Sequence, residues 1–362
     1  MKITRLSALL LLLTLVGCGG GQSSQYDIVD LGTLPGGYPT EGVAINADGL
    51  VVGKSAGRTR EGKYFERRAF LWQSGVIRDL GALGGLRSEA AAISTSGIMV
   101  GAADVDDLSF GQAFIHDGYA MRPLSVPPGT VYSMAHGIND FGVVVGEVNY
   151  RPVLWTHGVM TDIALLPGHD EGTANGINSA GHIAGMSMKE TGGNGGNRAT
   201  ARSHRAGDPP MSAFLAVNGQ TTALPTLGGL TSYANAINDH DWVVGYAETV
   251  SGDSHACLWA NGKAIDLGTL GGKYSTALAV GVTGQIVGQS DMSYNDESGL
   301  TARHAMLYTN GKMHDLNDMI PTGAGWVLNT ASGINDRGQI VGSGIITGSF
   351  PTIHAFLLTP HR

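Results

Sequence analysis

One ten-residue pattern returns seven times along this chain, and a chain built of seven near-copies has few ways to fold. It reads Ala44-Ile45-Asn46-Ala47-Asp48-Gly49-Leu50-Val51-Val52-Gly53 at first, and recurs at 92–101, 137–146, 176–185, 236–245, 279–288 and 333–342. The anchors Ile45, Ile93, Ile138, Ile177, Ile237, Val280 and Ile334 step by 48, 45, 39, 60, 43 and 54 residues. Self-similarity at such a period belongs to solenoids, propellers and arrays, in which one unit buries its apolar faces only against its neighbours. The repeat constrains architecture without naming a ligand or a reaction.

Each unit holds four strand-sized pieces. The first is small and apolar and ends in Ile-Asn, as in Tyr233-Ala234-Asn235-Ala236-Ile237-Asn238. The second is β-branched, as in Val143-Val144-Val145-Gly146. The third reads His-Ala-Phe-Leu-Trp or a variant, as in His255-Ala256-Cys257-Leu258-Trp259, and the fourth ends in Asp-Leu-Gly or a relative, as in Ile265-Asp266-Leu267-Gly268. Short β-rich runs at regular spacing with turn signals between them mark an all-β fold. The first and second pieces join through Asn-Asp-x-Gly, as at Asn139-Asp140-Phe141-Gly142, where Asn and Asp bond nearby amides and Gly takes positive φ. The third and fourth join through Asn218-Gly219, Asn261-Gly262 and Asn310-Gly311, a strong hairpin signal, with Ser74-Gly75, Asp117-Gly118 and His157-Gly158 as weaker versions.

Seven such units predict a seven-bladed β-propeller of four-stranded antiparallel blades. The first strand should be innermost, because its alternate positions (Gly42 with Ala44, Ala90 with Ala92, Ala135 with Gly137) are small and space is least at the axis. Closure is also legible. Residues 26–32 form a fourth-strand motif with no unit before it, and the last unit ends with its third strand near Leu358. The N-terminal strand is therefore expected to complete the last blade and remove two sheet edges. Alongside this reading, the His-Ala-Phe-Leu-Trp strand, the Ile-Asn-x-x-Gly turn and Asp266-Leu267-Gly268-Thr269-Leu270-Gly271-Gly272 resemble the HAF-repeat family of probable extracellular proteins. The resemblance covers 26–358 and implies no established reaction.

The N-terminus reads as an address. Lys2 and Arg5 precede an apolar stretch, 6–16, too short to span a bilayer as a stable helix. The run Leu15-Val16-Gly17-Cys18 resembles the lipobox of bacterial lipoproteins. That resemblance implies a signal peptide at 1–17, lipidation at Cys18 and a flexible tether at 18–25, which leaves 26–362 to the propeller read from the repeats. It also implies a lipid-anchored place in the cell envelope, with Gly19 after the Cys favouring an outer membrane. Cys257 is the only other cysteine, so acylation of Cys18 leaves no disulfide, and the fold must rest on its core. The net charge of −8 is spread over a chain only 14% charged, without the basic footprint of a nucleic-acid binder.

Function is expected at one end of the propeller. By strand parity, the short uniform turns share one face, while the second-to-third loops and interblade segments share the other. All the length variation falls on that second face: 54–68, 102–112, 187–211, 289–303 and 343–352. Variable loops on a rigid scaffold are where binding residues concentrate. The longest loop, 187–211, carries Arg198, Arg202 and Arg205 in a Gly- and Asn-rich context. The interblade segments deliver Arg87, Glu89, Tyr132, Glu171, Tyr233 and Tyr274 near the channel mouth, a set suited to a glycan, peptide or protein ligand. Zincin, nucleophile-elbow and Walker motifs are absent, so no catalytic residue, metal or cofactor is assigned. His255, His304 and His354 repeat in separate blades and read as structural, as do Asp30, Asp79, Asp162, Asp266 and Asp315 in their turns. The expectation is a monomeric, membrane-anchored binding or scaffold module. The alternative is an extracytoplasmic hydrolase or lyase at the channel mouth, for which Glu41, Glu89 and Glu171 are the available carboxylates.

Overall fold

The computed structural model describes residues 24–58, 62, 64–106, 111–189, 210–293, 302–348 and 350–361. The expected signal peptide at 1–17, Cys18, most of the expected tether and most of the 187–211 loop, with its three arginines, lie outside the described residues. The chain forms seven four-stranded antiparallel sheets. A strand β1 (Tyr26–Asp30) precedes blade 1, which comprises β2 (Thr40–Ile45), β3 (Val51–Arg58), β4 (Tyr64–Gln73) and β5 (Val76–Asp79). Blade 2 holds β6 (Ser88–Ile93), β7 (Met99–Ala103), β8 (Gln112–His116) and β9 (Met121–Pro123). Blade 3 holds β10 (Ser133–Ile138), β11 (Val144–Val148), β12 (Arg151–Thr156) and β13 (Val159–Asp162), and blade 4 holds β14 (Glu171–Ile177), β15 (Ile183–Met188), β16 (Met211–Val217) and β17 (Gln220–Ala223). Blade 5 holds β18 (Gly228–Ile237), β19 (Val243–Thr249), β20 (Ser254–Ala260) and β21 (Lys263–Asp266), and blade 6 holds β22 (Gly271–Val280), β23 (Ile286–Met292), β24 (Arg303–Thr309) and β25 (Lys312–Asp315). A 3-10 turn, Leu316–Met319, leads to blade 7 with β26 (Trp326–Ile334), β27 (Ile340–Ile346) and β28 (Thr352–Pro360).

The ring closes as the unpaired ends of the sequence predict. Strand β1 is the fourth strand of blade 7, pairing Tyr26 with Pro360 through Asp30 with Phe356. The inner strands β2, β6, β10, β14, β18, β22 and β26 each touch the next around the axis, and β26 touches β2. Seven apolar clusters form, one at each blade–blade interface. The second strand explains why its sequence is uniformly apolar: Val51 packs toward blade 7 and Val52 toward blade 2, Val144 toward blade 2 and Val145 toward blade 4. A strand buried on both faces has no solvent side to alternate with.

One local irregularity repeats in all seven blades and was not anticipated from the sequence. The register between first and second strand shifts between Gly42 and Ala44, and likewise at 90/92, 135/137, 174/176, 234/236, 277/279 and 331/333. Each is a β-bulge, with one extra residue on the inner strand. It corrects the simple alternation expected there. The two small residues face opposite interfaces: a Cβ on Gly42 would meet Val341 of blade 7, whereas Ala44 packs between blades 1 and 2. The bulge also explains the glycine that ends each β-branched run. A Cβ on Gly53, Gly101, Gly146, Gly185, Gly245, Gly288 or Gly342 would lie 1.9 to 2.1 Å from a carbonyl oxygen of the bulged strand. Several bulge residues tie neighbouring blades: Asn175 Nδ2 donates to Ala234 O at 2.7 Å, Asn235 Nδ2 to Ala277 O at 2.8 Å and Ser332 Oγ to Gly42 O at 2.6 Å.

The Asn of each turn does double duty. Asn46 Oδ1 accepts from Asp48 N and Leu50 N, closing its own turn, while its Nδ2 donates to Ser94 O of the next blade. The same donation runs from Asn139 to Asn178, Asn178 to Asn238, Asn238 to Gly281 and Asn335 to Asn46. Ser94 and Gly281 occupy the remaining two places in the circle and lack the amide. The third and fourth strands are also cross-tied, His255 to Asp266 at 2.9 Å, His304 to Asp315 at 2.6 Å and His354 to Asp30 at 2.9 Å. The aspartates accept turn amides at Gly32, Gly268 and Asn317. The repeated His and Asp are thus partners in a structural pair.

Three outcomes follow for stability. Gly146→Ala should cost about 3 kcal/mol or more, since its methyl group collides with the Met134 carbonyl, whereas Gly348→Ala, in open space, should leave the melting curve unchanged. Gly281→Asn has room for its Cβ and should complete a sixth amide link, raising Tm by about one to three degrees in differential scanning calorimetry. The hydrogen bond from His304 to Asp315 raises the pKa of that histidine. Its increment of stability is therefore complete below the unfolded value, about 6.5, and is lost as pH rises through the folded value. The Tm advantage of wild type over His304→Gln should be largest near pH 6 and narrow toward pH 9.

Candidate functional site

The inner strands enter from the variable-loop face, so residues early in them stand at the channel mouth. Two positions matter, four and six residues before the Ile anchor. Beside the inner position, on the second strand, runs the residue that follows the repeat glycine: Lys54, Ala102, Glu147, Met186, Tyr246, Gln289 and Ser343. The pairs Glu41 with Lys54, Met134 with Glu147 and Tyr233 with Tyr246 are in direct cross-strand register.

These side chains form a polar arc across blades 1 to 5. Lys54 Nζ lies 3.4 Å from Glu41 Oε2 and 3.6 Å from Glu89 Oε2, and Glu89 Oε2 also meets Arg67 Nη1 at 3.4 Å. In blade 3, Tyr132 Oη donates to Glu147 Oε1 at 3.2 Å, and His136 Nε2 reaches the same oxygen at 3.3 Å. Glu147 is only 3% exposed. Tyr132 stacks on Tyr150 with ring centroids 6.0 Å apart, and Tyr233 stacks on Tyr246 at 5.7 Å with planes 4° apart. Between the two pairs lies Asn175 of blade 4, whose Oδ1 accepts from Thr173 Oγ1.

The local backbone sets this geometry. Blade 3 has a two-residue turn between its second and third strands, Asn149-Tyr150, with both residues at positive φ, 46° and 63°. Positive φ is uncommon for a tyrosine, and such strain persists where surrounding structure imposes it. Asn149 Oδ1 accepts from Val131 N and Tyr132 N, which fixes the segment carrying Tyr132. Burial pushes the Tyr132 hydroxyl well above the ordinary phenol range, and the neighbouring Glu147 charge adds to it. Burial raises Tyr233 to about 12 against a hydrogen bond with Asn175, and the Glu147 charge raises it further. Tyr246 is raised by burial. All three therefore remain neutral hydrogen-bonding phenols at physiological pH.

Of the six residues expected at the mouth, Glu89, Tyr132 and Tyr233 belong to this arc. Arg87 donates through Nε to the buried Asp104 at 2.6 Å, clamping the start of β6 to the end of β7. Glu171 opens β14 opposite Met188 and is half-buried. Tyr274 stands 48% exposed on β22. The sequence reading missed Lys54, His136, Glu147, Tyr150, Asn175 and Tyr246. His136 and Asn175 are bulge residues, which no period-two alternation identifies. Glu147 and Tyr246 occupy the one column beside the repeat glycine whose residue type changes from blade to blade, a signal present in the aligned repeats. No group of three or more His, Cys, Asp and Glu arranged to hold a metal occurs among the described residues.

No family model matches this sequence, and no curated protein matches it. Among solved structures it is similar to the β-propeller domain of the Trilobed protease from Pyrococcus furiosus, with TM-score 0.51 and 9% identity over 89% of this chain and 92% of that one. It is also similar to a Mycobacterium tuberculosis puromycin-hydrolyzing peptidase, with TM-score 0.50 and 13% identity over 86% of this chain and 52% of that one. Porphyromonas gingivalis dipeptidyl peptidase 4 matches at TM-score 0.46 and 13% identity, over 83% of this chain and 50% of that one. The chain thus spans about half the length of the two peptidases. At such identities the likeness is one of fold. The Pyrococcus domain is described as having an open velcro topology, whereas here β1 closes the last sheet.

Proposed function

We propose that this protein is a lipid-anchored propeller of the bacterial cell envelope, a HAF-repeat protein that binds a glycan, peptide or protein ligand at its channel mouth. The observation that carries the reading is the arc itself. Two tyrosine pairs and a buried carboxylate converge on one end of a rigid ring, on the face that also bears the variable loops. Tyrosines supply apolar area at little conformational cost, and the charged and amide groups orient what they hold. Anchoring is compatible with this placement. The tether meets the body at β1, the outermost strand of blade 7, which leaves the inner-strand mouth clear of the attachment point.

A second reading, an extracytoplasmic hydrolase or lyase, draws support from the contact between Glu147 and His136, two groups able to exchange a proton. An enzyme would lose turnover in His136→Gln with ligand affinity retained. A binding module would show no turnover in either form.

The double variant Tyr132→Ala/Tyr233→Ala, screened with the wild type on arrays of cell-wall glycans and secreted peptides, should bind its best ligand at least about tenfold more weakly. Its circular dichroism should be unchanged. Protection of the Asn-Asp-x-Gly turns by that ligand in hydrogen exchange would place binding on the opposite face and overturn the reading. Mass spectrometry of the mature protein should show acylation at Cys18, absent in Cys18→Ala; an unmodified N-terminus elsewhere would remove the anchor.

A further inference from the structure

The two halves of the arc differ in charge balance. On the side of blades 1 and 2 the carboxylates of the arc have cations: Glu41 and Glu89 share Lys54 and Glu89 also meets Arg67, while Asp104 nearby holds Arg87. On the side of blades 3 to 5 the carboxylate within the arc is Glu147, whose one ion-pair partner among the described residues is His136, with no lysine or arginine paired to it. Tyr132 and His136 both approach its Oε1. Its Oε2 has no protein donor among the described residues. The Tyr132/Tyr150 pair adjoins it through Tyr132, and the Tyr233/Tyr246 pair stands two blades further along the arc, where the Glu147 charge adds to the raised pKa of Tyr233.

A second observation points the same way. Among the described residues, the Tyr246 hydroxyl, on a residue 7% exposed, has no hydrogen-bond partner, and neither does Thr231 Oγ1 of the same blade, on a residue 1% exposed. Buried polar groups in folded proteins are nearly always paired, so unpaired ones beside a candidate site mark groups with a partner still to receive. A phenol hydroxyl can accept a hydrogen bond from a cationic N–H, and the faces of the tyrosine rings carry the negative lobe of their quadrupoles. A neutral saccharide would use the rings and hydroxyls but would bring no positive charge to the carboxylate.

We infer that the ligand bound at this mouth presents a protonated amine, seated between the Tyr132/Tyr150 and Tyr233/Tyr246 pairs with Glu147 as its counter-ion. The inference rests on the mouth being the binding site. The shared chemistry is an alkylammonium, and it has two sources: a lysine side chain in a peptide or the amine of an unacetylated amino sugar. An aromatic surround with one carboxylate selects the cation over its acylated form, because acylation removes the charge and adds bulk where the rings converge.

The test titrates the purified protein with N-acetyl-lysine methylamide and with glucosamine, each against its neutral N-acetylated counterpart. Ring resonances of Tyr132, Tyr150, Tyr233 and Tyr246 are followed by NMR. The amines should shift these resonances at concentrations at least about tenfold below their acetylated counterparts. Whichever amine binds more tightly identifies the peptide or the sugar source. Glu147→Gln, which preserves side-chain volume, should abolish that preference. Tyr246→Phe, which removes only the unpaired hydroxyl, should weaken the amine alone and provides a second reading if Glu147→Gln melts early. Equal binding of the acetylated probes at the same tyrosines, or an unchanged preference in Glu147→Gln, would overturn the cation assignment while leaving the mouth as the site. Absence of any shift at the tyrosines with all four probes would overturn the assignment as well. A ligand found on the arrays that protects another face would instead remove the site on which the inference depends.

Discussion

The structure turns on a backbone contact repeated seven times, in which the bulged inner strand of each blade drives a carbonyl oxygen against the α-carbon of a glycine on the second strand. The extra residue reverses the alternation of side chains halfway along the inner strand. Before the bulge the small residue faces the preceding blade; after it the small residue faces the following one. Both neighbours can therefore approach closely at the axis, where the ring is tightest. An alanine at any of the seven glycines would force the two strands apart. Because packing is close and cooperative, such a shift would be felt at both adjoining interfaces.

The same bulge prepares the site. Just before it, Glu41, Glu89 and Tyr233 stand on the side opposite the first small residue, in register with Lys54, Ala102 and Tyr246 of their second strands, as Met134 is with Glu147. The bulge residue itself is released from the ladder, and in blades 3 and 4 it is His136 and Asn175, which reach into the arc. A structural device needed by every blade thus yields a ring of positions whose side chains the fold does not prescribe. Four of the seven bulge residues are polar and three are apolar, Val43, Ala91 and Leu278. The chemistry of the mouth accordingly concentrates on part of the ring.

Inter-blade cohesion combines an apolar part and a polar part. The seven apolar clusters supply the non-directional term. The turn asparagines supply a directional one, each closing its own turn and donating to the next blade, so that local turn formation and ring assembly favour the same conformation. Ser94 and Gly281 interrupt that circle. Across the first interruption a different contact serves, Asp140 Oδ1 accepting from Thr95 N at 3.0 Å. At the outer side, β1 converts an open array into a ring by pairing with β28, and the bond from His354 to Asp30 reproduces the tie that joins third and fourth strands in blades 5 and 6.

The sequence by itself determined the number of blades, the strands in each, the turn types and the closure by β1. Those features are local or periodic: hairpin residues such as Asn261-Gly262, the β-branched pairs, and two incomplete ends that complement each other. It also marked His255, His304 and His354 as structural, since equivalent residues of separate blades lie on a wide circle; their aspartate partners came to light only in the fold. Only the tertiary structure decided which side chains share the mouth. Glu89, Tyr132 and Tyr233 lie well apart in sequence, and they join Lys54, His136, Glu147 and Tyr246 because a one-residue bulge changes facing and because the ring brings successive blades together. Arg87, placed at the same mouth by parity, is held there in an ion pair with Asp104 that no spacing in the sequence announces. Period and turn chemistry are written in short stretches of chain; the meeting of side chains from different blades depends on distances that only the closed ring sets.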